Sequence, residues 1–209
     1  MKNCLKMLFA VWALMLAGSA FAAVAGKDYT VLEPAQPTPA GGKIEVLEFF
    51  GYPCPHCHHL HPALSAWEKT LPKDVGLTYV PVIFRDSWEP MAYTFYALDT
   101  LGQLPRLHGV LFDAWNVQHI ELTDANQIAS FVAQHGVDKA KFSEAYRSFS
   151  VQSKVVRSKQ LTQSFRIMGT PTLVVDGRFS ISGLQPPETI RVLNELLEQV
   201  RKERAAKKR

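Results

Sequence analysis

The stretch Gly51-Tyr52-Pro53-Cys54-Pro55-His56-Cys57-His58 decides the fold of this chain, because it sets two thiols three positions apart where a helix is predicted to begin. Side chains at this spacing share one face of a helix, so Cys54 and Cys57 are close enough to form a disulfide. Such a bridge closes almost no loop and therefore adds little stability through chain entropy. The pair accordingly indicates a dithiol that cycles between reduced and oxidised states.

The first 22 residues have the pattern of a secretory signal peptide. Lys2 and Lys6 supply a positively charged start, an apolar run from Met7 to Leu16 follows, and Ala20-Phe21-Ala22 fits an A-x-A cleavage signal. The third cysteine, Cys4, lies in this segment, so the mature protein would keep only the pair. The signal has a bacterial character and predicts a periplasmic protein, in a compartment where disulfide chemistry takes place.

Two alternatives to a cut after Ala22 stay open at this stage. Ala23-Val24-Ala25 offers a second cleavage site, and the uncharged stretch from Met7 to Gly26 is almost long enough to remain as a membrane anchor. No later segment is apolar enough to cross a membrane.

Composition favours one globular domain, or one domain with an insertion. The chain has 209 residues, of which 47% are hydrophobic, and its formal net charge is +4. Much of the positive excess lies between Arg201 and Arg209, where it predicts a solvated, frayed helix end rather than an arm that binds nucleic acid.

Periodicity and turn signals predict a strand, a second strand, the C-x-x-C helix, a third strand, a helical block, a hairpin and a closing helix. The predicted strands are Tyr29–Leu32, Lys43–Phe50, Leu77–Phe84, Thr172–Val175 and Arg178–Ile181, the last two joined at Asp176-Gly177. The predicted helices are Pro55–Leu71, Pro90–Leu101, Pro105–Asn116, Asp124–His135, Asp138–Phe149, Val151–Phe165 and Pro187–Lys202. A strand on each side of the C-x-x-C helix forms a βαβ unit, in which the two strands are parallel.

Three blocks of sequence resemble the DsbA family of periplasmic thiol:disulfide oxidoreductases. They are Leu47-Glu48-Phe49-Phe50, Cys54-Pro55-His56-Cys57 and Gly169-Thr170-Pro171-Thr172. The resemblance covers essentially the whole mature chain and implies an α/β, thioredoxin-like fold with an inserted helical domain. It divides the chain into a signal peptide (1–22), a thioredoxin-like domain (26–84 and 151–203) and the insertion (85–150).

The resemblance also implies the activity. The chain would donate the Cys54–Cys57 disulfide to unfolded or folding exported proteins with free cysteines, through a mixed disulfide at Cys54. A DsbB-like membrane quinone reductase would re-oxidise it. No cofactor, metal or nucleic acid is implied, and the expected state is a monomer. A disulfide isomerase or reductase of the same fold is the nearest alternative, although an isomerase usually needs a dimerisation domain.

The position of Cys54 predicts an unusually stable thiolate. A helix N-terminus presents free backbone N–H groups and the positive end of the helix dipole. Pro55 has no N–H, so the expected donors to the Cys54 sulfur are the amides of His56 and Cys57. A protonated His56 and an exposed position for Cys54 would lower the pKa further. Cys57, one turn deeper, is expected to be the buried partner.

Three further residues are assigned roles. By resemblance, Pro171 belongs to a cis-proline loop facing the dithiol, which exposes the backbone of Thr170 for pairing with a substrate strand. Glu48 lies in an apolar strand, where a charge is expensive; in the family an acid at this place helps to move protons to and from the inner thiol. The plain alternatives are a trans proline that opens a strand and a rim carboxylate paired with a nearby lysine.

Two other kinds of site, a c-type haem attachment site and a structural zinc site, are alternatives to the redox dithiol. Cys54 to His58 also fits C-x-x-C-H, the attachment signal of c-type haem, with His58 as proximal ligand and Met91 or Met168 as distal ligand. An apolar strand before the motif and the downstream Gly-Thr-Pro-Thr argue against it. Structural zinc normally needs two separated ligand pairs, and the sequence offers no second Cys or His pair.

Overall fold

A five-stranded mixed sheet forms the centre of the protein. The computed structural model describes residues 22–38 and 42–207, so the predicted signal peptide, apart from Ala22, lies outside the described residues. The strands lie in the order β1-β5-β4-β2-β3. They are β1 (Thr30–Val31), β2 (Ile44–Phe50), β3 (Val75–Pro81), β4 (Thr172–Val175) and β5 (Phe179–Ser182).

Strand β2 is the interior strand that its sequence predicts. All seven of its residues are buried, which suits a segment that is apolar on both faces. It pairs in parallel with β3, from Ile44 opposite Val75 to Phe50 opposite Pro81, and antiparallel with β4 on its other side. The predicted βαβ unit is therefore confirmed, and its helix begins directly beyond the carboxyl end of β2.

The helices lie on both sides of the sheet and in a block between β3 and β4. Helix α1 packs against α7 on one face, and residues from the end of α6 onward cover the other. The helices are α1 (Pro55–Glu68), α2 (Glu89–Thr100), α3 (Leu104–Asn116), α4 (Ala125–Gln134), α5 (Lys139–Arg147), α6 (Phe149–Ser164) and α7 (Pro186–Ala206). A short 3-10 turn, Asp86–Trp88, precedes α2. The predicted division into two domains at 85–150 stays a prediction.

Polar side chains fix the starts of several helices. Asp124 and Asp138, the first residues of two predicted helices, are the N-cap residues of α4 and α5 and accept hydrogen bonds from first-turn amides. Ser148 ends α5 and caps α6 by accepting from the Val151 amide at 3.2 Å, which explains why the break between these helices lies two residues earlier than predicted.

Some predicted boundaries were wrong. Strand β3 begins at Val75 rather than Leu77, because Gly76 pairs within the parallel ladder, and it ends at Pro81 rather than Phe84, ahead of the 3-10 turn. Helix α1 ends at Glu68 instead of Leu71, since the chain turns ahead of Pro72.

The closing helix is longer than predicted. Helix α7 continues to Ala206, and two of its last arginines are anchored: Arg201 donates to the Asp74 carboxylate at 2.7 Å and Arg204 to that of Asp176 at 2.6 Å. The expectation of a frayed end was therefore wrong up to Ala206. Among the described residues, no helix combines the length and the apolar character that crossing a membrane requires.

Candidate active site

The two thiols lie at the first turn of α1, in the positions that the sequence predicts. Cys54 is the N-cap residue of α1, with extended backbone, and Pro55 occupies the first helical turn. The backbone N–H of Cys57 donates to the Cys54 sulfur at 3.1 Å. Both cysteines are free thiols here, so the structure represents the reduced dithiol.

Hydrogen bonds lower the pKa of the Cys54 thiol to about 6. The largest contribution is a hydrogen bond with the Cys57 thiol; burial opposes it, and the backbone N–H groups of Cys57 and His56 add to it. The two amides expected from the helix geometry are therefore among the donors, but hydrogen bonds with Cys57 through its side chain and with Thr170 contribute more. His56 contributes through its backbone, its side chain is exposed, and an effect of its imidazole charge stays a prediction.

The expected exposure of Cys54 was wrong. Cys54 is 5% exposed and Cys57 is fully buried, because Tyr52, Cys54 and Cys57 join a cluster of apolar side chains contributed by the helical block. Burial is also the main reason why the pKa of Cys57 is raised above its usual range, followed by its hydrogen bond to Cys54. Only one of the two thiols is thus set up to ionise near neutral pH.

The loop before β4 faces the dithiol. The Thr170–Pro171 peptide bond is cis, and the Cys54 thiol donates to the Thr170 carbonyl oxygen at 3.4 Å. Pro171 is therefore not the trans proline of the alternative interpretation. A backbone carbonyl this close to the reactive sulfur is well placed to pair with an extended peptide bound at Cys54.

Glu48 is a buried acid on the strand that leads to the site. It is 2% exposed and its Oε1 has no hydrogen-bond partner, so the alternative of a rim carboxylate paired with a lysine was wrong. Burial raises the pKa of Glu48 to about 8, and the nearby charges of Cys54 and Glu68 add to the shift. At neutral pH this carboxyl therefore holds a proton next to the dithiol.

Tyr79 and Glu68 continue this polar region away from Cys54. Tyr79 lies directly opposite Glu48 in the parallel register of β2 and β3, and its hydroxyl donates to Glu68 Oε2 at 2.8 Å. Neither Tyr79 nor Glu68 is among the site residues predicted from the sequence. The alternation of side chains along two paired strands, which places Glu48 and Tyr79 on one face, was the available signal.

A tyrosine–histidine pair behind the thiols is also not among the site residues predicted from the sequence. The Tyr52 hydroxyl and His108 Nδ1 are 2.7 Å apart, both side chains are buried, and His108 Nε2 has no partner. Burial, with the neighbouring His61, lowers the pKa of His108 well below its usual value, so the imidazole is neutral. The pair joins the segment before Cys54 to α3, a contact that no local pattern could reveal.

His58, the residue that completes the haem-like motif, is engaged elsewhere. Its Nε2 lies 2.9 Å from Asp113 Oδ1 on α3, so the ring is held against the helical block. In the described ranges, no three His, Cys, Asp or Glu side chains are grouped closely enough to hold a metal ion.

Apolar side chains are exposed on two loops that approach the site. Met168, three residues before Pro171, is 91% exposed, and Phe84 is 41% exposed and packs on Trp88 with ring centres 5.8 Å apart. Trp88 in turn lies against Gly51, where a Cβ atom would be only 2.4 Å from the indole ring. Exposed apolar groups of this kind suit contacts with unfolded chains.

A large groove lies away from the thiols. It has a volume of about 1240 Å³, follows the edge of β3, and includes the side chains of His61, Phe95 and His108 but not Cys54 or Thr170. The reactive pair is therefore not part of this groove.

Comparisons with known proteins agree with this geometry. A family model described as a DSBA-like thioredoxin domain matches residues 45–193. The thiol:disulfide interchange protein DsbA of Pseudomonas syringae pv. tomato is 38% identical over 186 residues, which cover 88% of this chain and 86% of that protein. The protein of the same name from Burkholderia cepacia is 40% identical over 183 residues, 86% of each chain.

Solved structures of DsbA proteins are also similar to this chain. The crystal structure of Pseudomonas aeruginosa DsbA superposes with a TM-score of 0.83 at 35% identity, covering 90% of this chain and 97% of that one. The structure of the oxidoreductase DsbA from Xylella fastidiosa gives 0.81 at 34% identity, covering 87% and 99%.

Proposed function

This chain belongs to the DsbA-like thioredoxin-domain family and is a thiol:disulfide oxidoreductase, and from that premise we propose that it donates the Cys54–Cys57 disulfide to exported proteins with free cysteines. The predicted thioredoxin-like fold and the predicted enzyme class are thereby confirmed. The observation that best supports donation, as opposed to reduction or isomerisation, is the hydrogen bonding of Cys57 to the Cys54 sulfur, through its thiol and through its amide at 3.1 Å. It stabilises the Cys54 thiolate and hence the reduced form, which makes the disulfide a good oxidant.

The transfer has two steps. A client thiolate attacks the Cys54 sulfur, the Cys54–Cys57 bond breaks, and a mixed disulfide forms between the client and Cys54 while Cys57 leaves. A second client thiolate then attacks the client sulfur and releases the Cys54 thiolate. The client loses two electrons and the enzyme dithiol gains them.

Cys57 must gain a proton as it leaves, because its raised pKa makes a buried thiolate at this position unfavourable. Glu48 is the candidate donor, since it is buried, protonated at neutral pH and electrostatically coupled to Cys57. In the reverse reaction, when the dithiol is re-oxidised, the same carboxyl would take the proton back.

Client binding would use the loop that faces the sulfur. The backbone of Thr170, next to Pro171, can pair with an extended client segment while the exposed Met168 contacts its apolar side chains. Backbone pairing is independent of sequence, which suits an enzyme that acts on many unfolded chains.

The cellular setting is part of the proposal. Export through the signal peptide at 1–22 would place the enzyme in the periplasm, where a DsbB-like membrane quinone reductase would re-oxidise the dithiol. The enzyme would act there as a monomer. No cofactor is needed for thiol exchange itself, because the two sulfurs carry the electrons.

Trapping experiments with single-cysteine variants test the proposal. Cys57→Ala should accumulate mixed disulfides with an unfolded client that carries a disulfide, because the Cys54 thiolate breaks that disulfide and the thiol that would displace the client is gone. Cys54→Ala should accumulate few, because Cys57 is buried and its pKa is raised. Non-reducing gels of both variants after exposure to the oxidised client give the readout, and equal trapping by the two would contradict the assignment.

A further inference from the structure

Residues 22–29 form a folded segment at the point where the predicted signal peptide ends. The Gly26 amide donates to the Tyr29 carbonyl at 2.7 Å, and the Asp28 amide donates to the Val24 carbonyl at 2.8 Å. The Val24 amide donates to the Asp28 carboxylate at 2.8 Å. The segment thus has a defined conformation of its own, ahead of β1.

One contact ties the front of this segment to the last helix. The backbone nitrogen of Ala23 lies 2.5 Å from Oε2 of Glu195 on α7, which is 172 positions away in the chain. The other oxygen of Glu195 accepts from Arg191 at 2.8 Å. Ala23 also packs against the apolar cluster between α1 and α7. A single backbone nitrogen therefore meets a carboxylate that is already fixed in position by its own helix.

We propose that the chain is cut between Ala22 and Ala23 after export, and that the α-ammonium group released at Ala23 forms an ion pair with Glu195. The cut is a hydrolysis by a signal peptidase: water adds across the Ala22–Ala23 peptide bond, Ala22 keeps a carboxylate, and the Ala23 amine takes up a proton. The inference rests on the proposed export of the chain. It assigns Glu195 as the binding site for the mature N-terminus.

The geometry distinguishes between the two cleavage signals in the sequence. A cut after Ala22 keeps every contact described above and turns the Ala23 nitrogen from a neutral donor into a charged one. A cut after Ala25 would remove Ala23 and Val24, and with them the contact to Glu195 and both contacts to Asp28. Ala22 itself is exposed, as a peptidase substrate must be.

The surroundings of Ala23 suit a positive charge. The cleft beside Ala22 and Ala23 is lined on α7 by three carboxylates, those of Glu195, Glu198 and Glu203, and by one ammonium group, that of Lys202. A hydrogen bond from an ammonium group to a carboxylate is stronger than one from a neutral amide. Processing would therefore add the attraction between opposite charges to a hydrogen bond that the unprocessed chain already makes.

The first test is the mass of the mature protein. The full-length chain, expressed with its own leader in a bacterium and purified from the periplasm, should begin at Ala23. Ala22→Leu should block or displace the cut, because the residue before the scissile bond must be small. The matched variant Ala25→Leu should leave the cut unchanged. A mature protein that begins at Gly26, or a leader that is blocked by Ala25→Leu and not by Ala22→Leu, would overturn the inference.

The second test isolates the ion pair. In the mature protein, Glu195→Gln should lower the folding equilibrium constant by about 1.5- to 5-fold, as expected for a partly exposed pair. Acetylation near neutral pH modifies the α-amino group selectively, because this group is less basic than lysine. It should lower the folding equilibrium constant by a similar factor. After acetylation, Glu195→Gln should have a smaller effect, because the charge it would pair with is gone.

Glu198→Gln is the matched control, since Glu198 lines the same cleft but is paired with Arg201. Its effect on denaturant unfolding should be the same before and after acetylation. If acetylation leaves the effect of Glu195→Gln unchanged, Glu195 contributes to stability only through its contact with Arg191 on the same helix, and the proposed ion pair is overturned. An uncleaved precursor retained in the cytoplasm would instead contradict the proposed export.

Discussion

At the scale of single residues, a buried thiol and a buried carboxyl near each other have pKa values that are shifted in opposite directions. Cys54 and Glu48 are 5% and 2% exposed, and burial alone raises the pKa of both. Hydrogen bonds reverse the effect for Cys54, whose pKa falls to about 6, whereas Glu48 has an oxygen without a partner and its pKa rises to about 8. At neutral pH the site therefore combines an ionised thiol with a protonated carboxyl.

Glu48 should make the reduced protein less stable as pH rises. Its folded pKa of about 8 lies above the ordinary value of 4.5, so between these pH values the unfolded chain releases a proton that the folded protein keeps. The contribution of Glu48 to the free energy of unfolding should therefore fall with pH in this window, by about 1.4 kcal/mol per pH unit for one proton. Glu48→Gln should remove this slope. Above pH 6 the ionisation of Cys54 adds a slope of the opposite sign in the reduced protein, so the contribution of Glu48 is read from the difference between the wild type and Glu48→Gln.

Guanidinium unfolding of the reduced protein at several pH values between 5 and 8 measures the effect. Glu121→Gln, in the exposed loop between α3 and α4, controls for the change in net charge. Equal slopes in the wild type and in Glu48→Gln would contradict a protonated Glu48.

At the scale of the elements, the position of the dithiol follows from the junction between β2 and α1. Gly51 lies in this junction with the indole of Trp88 directly against its Cα, so a Cβ atom there would be 2.4 Å from the ring. Gly51→Ala should therefore displace Trp88 and reduce the free energy of unfolding by about 1–3 kcal/mol.

The same substitution at Gly76 is the control. The nearest atom to a Cβ at Gly76 is 4.0 Å away on the flexible Lys43 side chain, so Gly76→Ala should be close to neutral. Denaturant unfolding, followed by tryptophan fluorescence, compares the two variants. A Gly51→Ala protein as stable as Gly76→Ala would show that the contact with Trp88 does not constrain the junction.

Sequence patterns predicted the elements better than the contacts between them. The βαβ unit, the C-x-x-C helix and the helices that start next to Asp124 and Asp138 depend on local spacing, and the structure confirms them. The burial of Cys54 and the pair formed by Tyr52 and His108 depend on helices that are distant in the sequence. The two members of the pair, for example, are 56 positions apart. Long-range packing of this kind leaves no periodic signal in the sequence around the thiols.

At the scale of the whole molecule, the reduced form should be the more stable one. The pKa of Cys54 is lowered from 9.0 to about 6, so ionisation stabilises the folded, reduced protein at pH values above 6. This contribution grows as pH rises from 6 to 9 and is lost as pH falls through 6. At pH 7 it amounts to roughly 1.4 kcal/mol.

The difference in unfolding free energy between the reduced and oxidised proteins measures this contribution. It should increase between pH 6 and pH 8 in favour of the reduced form, and the oxidised protein serves as the internal control for all other titrating groups. A difference that does not change with pH would contradict a depressed pKa for Cys54.

The proposed oxidant function depends on a stable thiolate at Cys54, and the ultraviolet absorbance of this thiolate near 240 nm measures its pKa directly. The reduced wild type should show a rise in absorbance with a midpoint near pH 6, because hydrogen bonds from Cys57 lower the pKa of Cys54 to about 6. Cys54→Ala should lack this transition, since Cys57 stays protonated throughout the range. A thiolate that forms only above pH 8 in the wild type would contradict the oxidant function.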